Sequence, residues 1–279
     1  MKSNNASDAT ALPGAFRIKP TDETGQPGFT LIEVLVVVAI IGILAGMLLP
    51  ALSRAKGRAQ GITCANHVRQ LQIAWTLFAD EHEGRLINNH GIQETVRRRD
   101  NWVNNVLDWN YSPDNTNLVS LTSGHITPYL GKSTAVFKCP SDRSIAENGE
   151  RIRSFSLNSL LGDPGELTNR FNPQLLQFFK ITDFPKPSDT YVFLDEHPDT
   201  INDGFFMNRW SEYKWGNLPA ANHDNGANLS FADGHVEKHR WVESTTLKPP
   251  VKGGSGGVFP AEPRADYEWL RDHSSSPRK

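Results

Sequence analysis

Residues 28–52 read GFTLIEVLVVVAIIGILAGMLLPAL, and the fold is decided there. From Val34 to Leu49 no side chain is charged or strongly polar, and Phe29, Leu31, Ile32, Ala51 and Leu52 extend the apolar run on both sides. That approaches the roughly 20 residues needed to cross a hydrocarbon core of about 30 Å. Glu33 breaks the pattern, because an ionised carboxylate at bilayer depth costs on the order of 3 kcal/mol unless it reaches the interface or a partner. Residues 1–28 are polar and rich in Asn, Asp, Thr, Pro and Gly, a leader without a core. A cleaved secretory signal wants a shorter apolar run of about 7–15 residues followed by a small-x-small site, which PALSRAKGRAQG after the run supplies poorly. A plain signal anchor fits the length, but Arg17 and Lys19 on one side and Arg54, Lys56 and Arg58 on the other leave its orientation open. In a third reading, a cut after Gly28 frees the Phe29 amine beside Glu33, and cation and carboxylate are offered to one another.

Working outward, Pro50 cannot donate to the carbonyl of Gly46, and Gly42 adds a second weak point, so a kinked or loosened helix is expected there. Beyond it Leu52, Ala55, Ala59 and Ile62, then Cys64, Val68, Leu71, Trp75 and Phe78 recur at steps of mostly three and four, an amphipathic continuation. Gly84 is the expected stop, which gives a spine of about 80 Å at 1.5 Å per residue. Residues 85–133 are turn-rich, with aromatic anchors at Trp102, Trp109 and Tyr111 and one short helix expected over 118–130. Strand signals follow at 135–139, 190–196, 204–210, 228–231 and 235–241. Asp233-Gly234 suits a type I′ hairpin between the last two. KPPVKGGSGGVFP at 248–260 reads as a linker, and the tail after it as one short helix over 266–272 that then frays. The expected organisation is therefore a leader over 1–28, a membrane half-helix over 29–52, an amphipathic half-helix over 53–84, an α+β domain with an antiparallel sheet over 85–242, and a linker and flexible tail over 243–279.

Composition excludes several classes. With 29 Lys and Arg against 31 Asp and Glu the formal charge is −2, so nucleic acid is not an expected partner. Arg97-Arg98-Arg99 is better read as a solvated loop or a contact for an acidic partner. No HExxH, P-loop or GxGxxG motif is present, and the chain is expected not to be an enzyme. Cys64 and Cys139 are the only thiols. A disulfide between spine and sheet, or two free buried thiols, are the open alternatives, and two lone cysteines give metal ligation little support.

The unbroken Gly28-Phe29-Thr30-Leu31-Ile32-Glu33 resembles the start of the type IV pilin and pseudopilin family. The resemblance implies a pilin-like α+β fold, cleavage after Gly28 by a prepilin peptidase, methylation of the Phe29 amine, and neutralisation of that amine by Glu33 of a neighbouring subunit. It also implies that the stretch from Gly42 to Pro50 extends on assembly, and that the partners are other pilin-like subunits, an inner-membrane assembly platform and the membrane itself. The globular domain would lie on the periplasmic side, in a type II secretion pseudopilus or a type IV pilus. His223 followed nine residues later by Asp233-Gly234 resembles the H-x9-DG element that closes a subfamily of prepilin-type proteins, and KCPSD at 138–142, SFSLN at 154–158 and VFLDE at 192–196 resemble further blocks of it.

Candidate ligand residues follow. His223, Asp233 and His235 offer imidazole and carboxylate to a metal, and the oxygen-rich Asp195, Glu196, Asp199, Asn202 and Asp203 could hold calcium, as loops of major pseudopilins do. Against this, Asp233-Gly234 can be a plain turn and His223 a loop cap. A second functional reading is a membrane-anchored or fibre-borne module that binds surface carbohydrate through exposed Trp210, Tyr213 and Trp215.

Overall fold

The computed structural model describes residues 28–131, 133–252 and 258–278; the cleaved-leader reading for residues 1–27 lies outside the described residues. The chain divides into two compact units, Met1–Pro50 and Ala51–Lys279. In the first, the described backbone enters helix α1, Leu31–Glu81, which runs through Pro50 as one helix. Every large apolar side chain of α1 within this unit is exposed, as is Phe29 at 81 %. Burying each such side chain is worth roughly 1.5–3 kcal/mol, so an unpartnered apolar face of this size is unstable in water. Among the described residues, α1 is the helix long and apolar enough to cross a membrane.

The second unit is an α+β domain. After α1 come α2 (Ile92–Arg98), α3 (Leu118–Thr122), β1 (Ile145–Ala146), β2 (Gly149–Glu150), β3 (Phe155–Asn158), β4 (Tyr191–Asp195) and β5 (Phe205–Phe206). They are followed by β6 (Lys214–Trp215), β7 (Gly226–Phe231), β8 (Val236–Arg240), β9 (Phe259–Pro260) and α4 (Ala265–Asp272). The main sheet has the order β5-β3-β4-β7-β8, antiparallel except for the parallel β3–β5 pair. On one face the α1 stripe Cys64, Val68, Leu71, Trp75 and Phe78 is buried with Phe155, Leu157, Val192 and Phe193, as the periodicity requires. The stripe starts later than expected: Leu52 and Ile62 are 67 % and 66 % exposed. Residues that a helical period would bury need a second layer, and the sheet begins to supply one only at Cys64. The helix ends through Glu83 and Gly84, both at positive φ, with the Gly84 amide donating to the Ala79 carbonyl at 2.8 Å.

Several local expectations are corrected. Residues 135–137 form a single 3-10 turn ahead of Pro140, and 204–210 yields only the two-residue β5 before a turn at Trp210. The hairpin is not type I′: the Gly234 amide donates to the Phe231 carbonyl, and Gly234 is the residue with positive φ while Asp233 is not. The tail does not fray. Tyr267 and Leu270 of α4 are buried with Trp210, Trp215 and Trp241 on the other face of the sheet, and the Ser274 carbonyl accepts from the Asn158 side chain at 2.7 Å. Asp266 and Glu243 lock the tail in place, each carboxylate accepting backbone N–H groups beside the other. Trp210 and Trp215 are therefore core, which leaves the carbohydrate reading without its exposed platform. Arg97 and Arg98 share Glu94 and reach Glu166 and Asp100, so two of the three arginines of the basic run are paired within the domain.

Candidate functional site

Two sites emerge, one in each unit. In the first, Thr30 and Glu33 form a capping box at the start of α1. The Thr30 amide and hydroxyl donate to the Glu33 carboxylate at 2.8 and 2.7 Å, and the Glu33 amide lies 3.4 Å from the Thr30 hydroxyl. The reciprocal bonds satisfy two amides that the first helical turn leaves orphaned. They also hold the carboxylate at the helix entry, beside Phe29. Gly28 lies outside the helix, with nothing within 4 Å of where a Cβ would stand. The expected cut site is thus an exposed, non-helical backbone immediately before a helix start. The capping role of Glu33 was legible as T-x-x-E, a signal that the reading of Glu33 as an unpaired charge passed over. Pro50 sits within α1 at the boundary of the units.

The second site is assembled from four separate elements of the domain. Cys64 comes from α1, Cys139 from the turn before Pro140, Asp195 from the end of β4 and His223 from the loop before β7. Their ligating atoms all lie within 4.8 Å of one another, and all four residues are buried. The Cys64 thiol donates to Asp195 Oδ2 at 3.0 Å, Cys139 Sγ lies 3.2 Å from His223 Nε2, and that nitrogen is 3.6 Å from Asp195 Oδ2. Asp195 Oδ1 and His223 Nδ1 are buried without a hydrogen-bond partner. Both thiols are free, so the structure holds an unbridged pair in place of the spine-to-sheet disulfide.

An irregularity in β4 aims Asp195 at this point. Tyr191 pairs with Phe231 but Leu194 with Leu229, so three steps on β4 face two on β7, a bulge of one residue. Phe193 donates its amide to the Ser230 hydroxyl there at 3.1 Å. The extra residue places Val192 and Phe193 together on the α1 side and Leu194 with the opposite core, so that Asp195 falls on the α1 side. On β7, Ala227, Leu229 and Phe231 face the opposite core, while the Asn228 side chain reaches the Gly61 carbonyl on α1.

Burial raises the Cys64 thiol well above its ordinary range, with Cys139 and Asp195 adding to the effect. Cys139 is lowered, first by the adjoining Cys64 thiol and, against burial, by His223. Burial opposes a charge on His223, yet bonds to Asp195 and Cys139 lift it to about 9. Two sulfurs and an imidazole nitrogen are soft and borderline donors, and with one carboxylate they make a set that zinc takes.

The remaining candidate ligands are not gathered with them. Asp233 is at the β7–β8 turn, bonded to His235 Nδ1 and amide. The segment expected to hold calcium wraps two buried guanidinium groups: Arg151 donates to the carbonyls of Pro198 and Ile201, and Arg153 to those of Asn202 and Asp203. Those backbone oxygens already serve a cation supplied by the chain. Glu196 accepts from Thr200 and Asn217, Asp199 from the Val251 amide, and Asp203 from the Phe205 amide. Sequence proximity placed these acids together, but their side chains leave in different directions.

The family model for the prokaryotic N-terminal methylation motif matches residues 24–49 of the chain. No curated protein and no solved structure matches it. The motif, joined to a long apolar helix and an α+β domain, supports a type IV pilin-like protein processed by a prepilin peptidase.

Proposed function

We propose that the chain is a non-enzymatic structural subunit, a pseudopilin or minor pilin that polymerises through the apolar half of α1. A prepilin peptidase cuts between Gly28 and Phe29, and the freed Phe29 amine is methylated. Before assembly α1 anchors the subunit in the inner membrane with the domain on the periplasmic side. An assembly platform then moves subunits from the bilayer into a pseudopilus or pilus-like fibre, where the apolar faces bury one another. Glu33 of one protomer neutralises the terminal amine of its neighbour, which removes the cost of an isolated charge in an apolar bundle. The observation that carries this reading is the accessible Gly28-Phe29 step placed directly before a carboxylate held at the helix entry.

The test separates charge from capping. Glu33→Gln keeps a side chain that can complete the capping box, whereas Glu33→Ala loses both functions. Both variants should be cut after Gly28 yet be depleted at least about tenfold from sheared fibres, since a lost pairing of about 1.4 kcal/mol already amounts to that factor. Incorporation of Glu33→Gln at the level of the parent chain would reduce Glu33 to a helix cap.

A further inference from the structure

We propose that Cys64, Cys139, Asp195 and His223 form a tetrahedral zinc site that clamps helix α1 to the sheet of the domain. The proposal stands on the domain alone and does not depend on fibre assembly. Four protein donors, S2NO, complete a closed structural site with no position left for water or substrate. Zinc bonds of about 2.3 Å to sulfur and 2.0–2.2 Å to nitrogen and oxygen set tetrahedral edges of about 3.3–3.8 Å. Three of the six edges are 3.0 Å for Cys64–Asp195, 3.2 Å for Cys139–His223 and 3.6 Å for His223–Asp195, and all six lie within 4.8 Å, so modest shifts of the side chains admit the ion.

The site also accounts for polar groups that packing leaves unexplained. Asp195 is wholly buried and its Oδ1 has no partner, while its Oδ2 accepts from the Cys64 thiol, a weak donor, and lies 3.6 Å from His223 Nε2. A carboxylate in that position is costly without a counter-charge. Uptake of one Zn²⁺ releases the two S–H protons and the proton that His223 holds near neutral pH, leaving two thiolates, one carboxylate and a neutral imidazole bound through Nε2, with a net site charge of −1. Sulfur donors select against calcium and magnesium. His223 lines an open groove with Gly61, Asn228 and Lys238, a route by which the ion can reach the buried donors. The elements joined are 75 residues apart between Cys64 and Cys139, with β4 and the β7 loop contributing the rest, so the clamp ties the helix to three parts of the domain.

The experiment uses the full chain, purified in detergent without chelator. Elemental analysis should find one zinc per chain. A strong chelator should remove it, expose both thiols to alkylation and lower the melting temperature of the domain by more than about 5 °C, with recovery on adding zinc back. Cobalt(II) in place of zinc should give the sulfur-to-metal charge-transfer band and tetrahedral d–d bands of a two-thiolate site, a readout on the unaltered chain. Asp195→Asn, which keeps the side chain's shape, should weaken zinc binding at least about tenfold, and Cys139→Ser should cut the charge-transfer band to about half, leaving the contribution of Cys64. A chain that takes up no zinc from an excess of the metal overturns the proposal, whether its sulfurs are both alkylated as free thiols or are joined and the mass is two hydrogens lighter.

Discussion

At the scale of single residues, two acids meet opposite environments. Glu33 stands at an exposed helix entry and is satisfied by its own neighbour, Thr30. Asp203 is buried, and burial pushes its carboxyl up to about 7 despite the Phe205 amide and the Arg153 guanidinium nearby. The sign of the consequence is fixed by linkage. In the unfolded chain the group ionises near pH 3.9, so between about pH 4 and 7 the folded state binds more protons and stability from this group falls as pH rises. We predict that Asp203→Asn flattens the decline of domain stability between pH 4 and 7, by roughly 3–4 kcal/mol at most, in urea titrations at matched pH. An unchanged slope in the variant would assign the pH dependence to other groups. The neighbouring guanidinium, Arg153, is itself held down to about 10 by burial, so Asp203 and Arg153 are best altered separately. The burial of Asp203 was not legible in the sequence, because it depends on Arg153 drawing the carbonyls of Asn202 and Asp203 inward from 49 and 50 residues away.

At the scale of elements, α1 was the most legible, since its apolar run and the Cys64-to-Phe78 stripe are both periodic over many residues. Two positions in its second half predict different responses. Trp75 is wholly buried against the sheet, and Trp75→Ala should cost about 3–5 kcal/mol of domain stability. Ile62, one turn outside the stripe, faces away, and Ile62→Ala should stay within about 0.5 kcal/mol. Denaturant midpoints of the two variants decide it; equal losses would mean that the stripe continues beyond Cys64. Short elements were poorly legible. The strand signal at 135–139 is apolar and β-branched in part, but Pro140 removes a ladder donor and the segment turns instead. The closing helix α4 was visible as a helix, while its burial was not, because Tyr267 and Leu270 are matched by Trp210, Trp215 and Trp241 from distant parts of the chain.

At the scale of the whole molecule, the sequence divides labour between an apolar segment with no partner among the described residues and a domain that completes its own core. The methylation motif was readable because it is local: six consecutive residues, 28–33, carry the proposed cut, the proposed new terminus and the acid. The cysteine, aspartate and histidine cluster was not, because four segments spread from residue 64 to 223 and a one-residue bulge must cooperate to build it. What binds the account together is that the polymerising chain begins at Phe29, since only then does an amine exist for Glu33 to neutralise. Intact-mass and N-terminal peptide analysis of the chain from cells with and without an active prepilin peptidase tests this most directly. The account predicts a mature chain starting with a methylated Phe29 in the first and an uncut chain in the second; a chain that keeps residues 1–28 in both would contradict it.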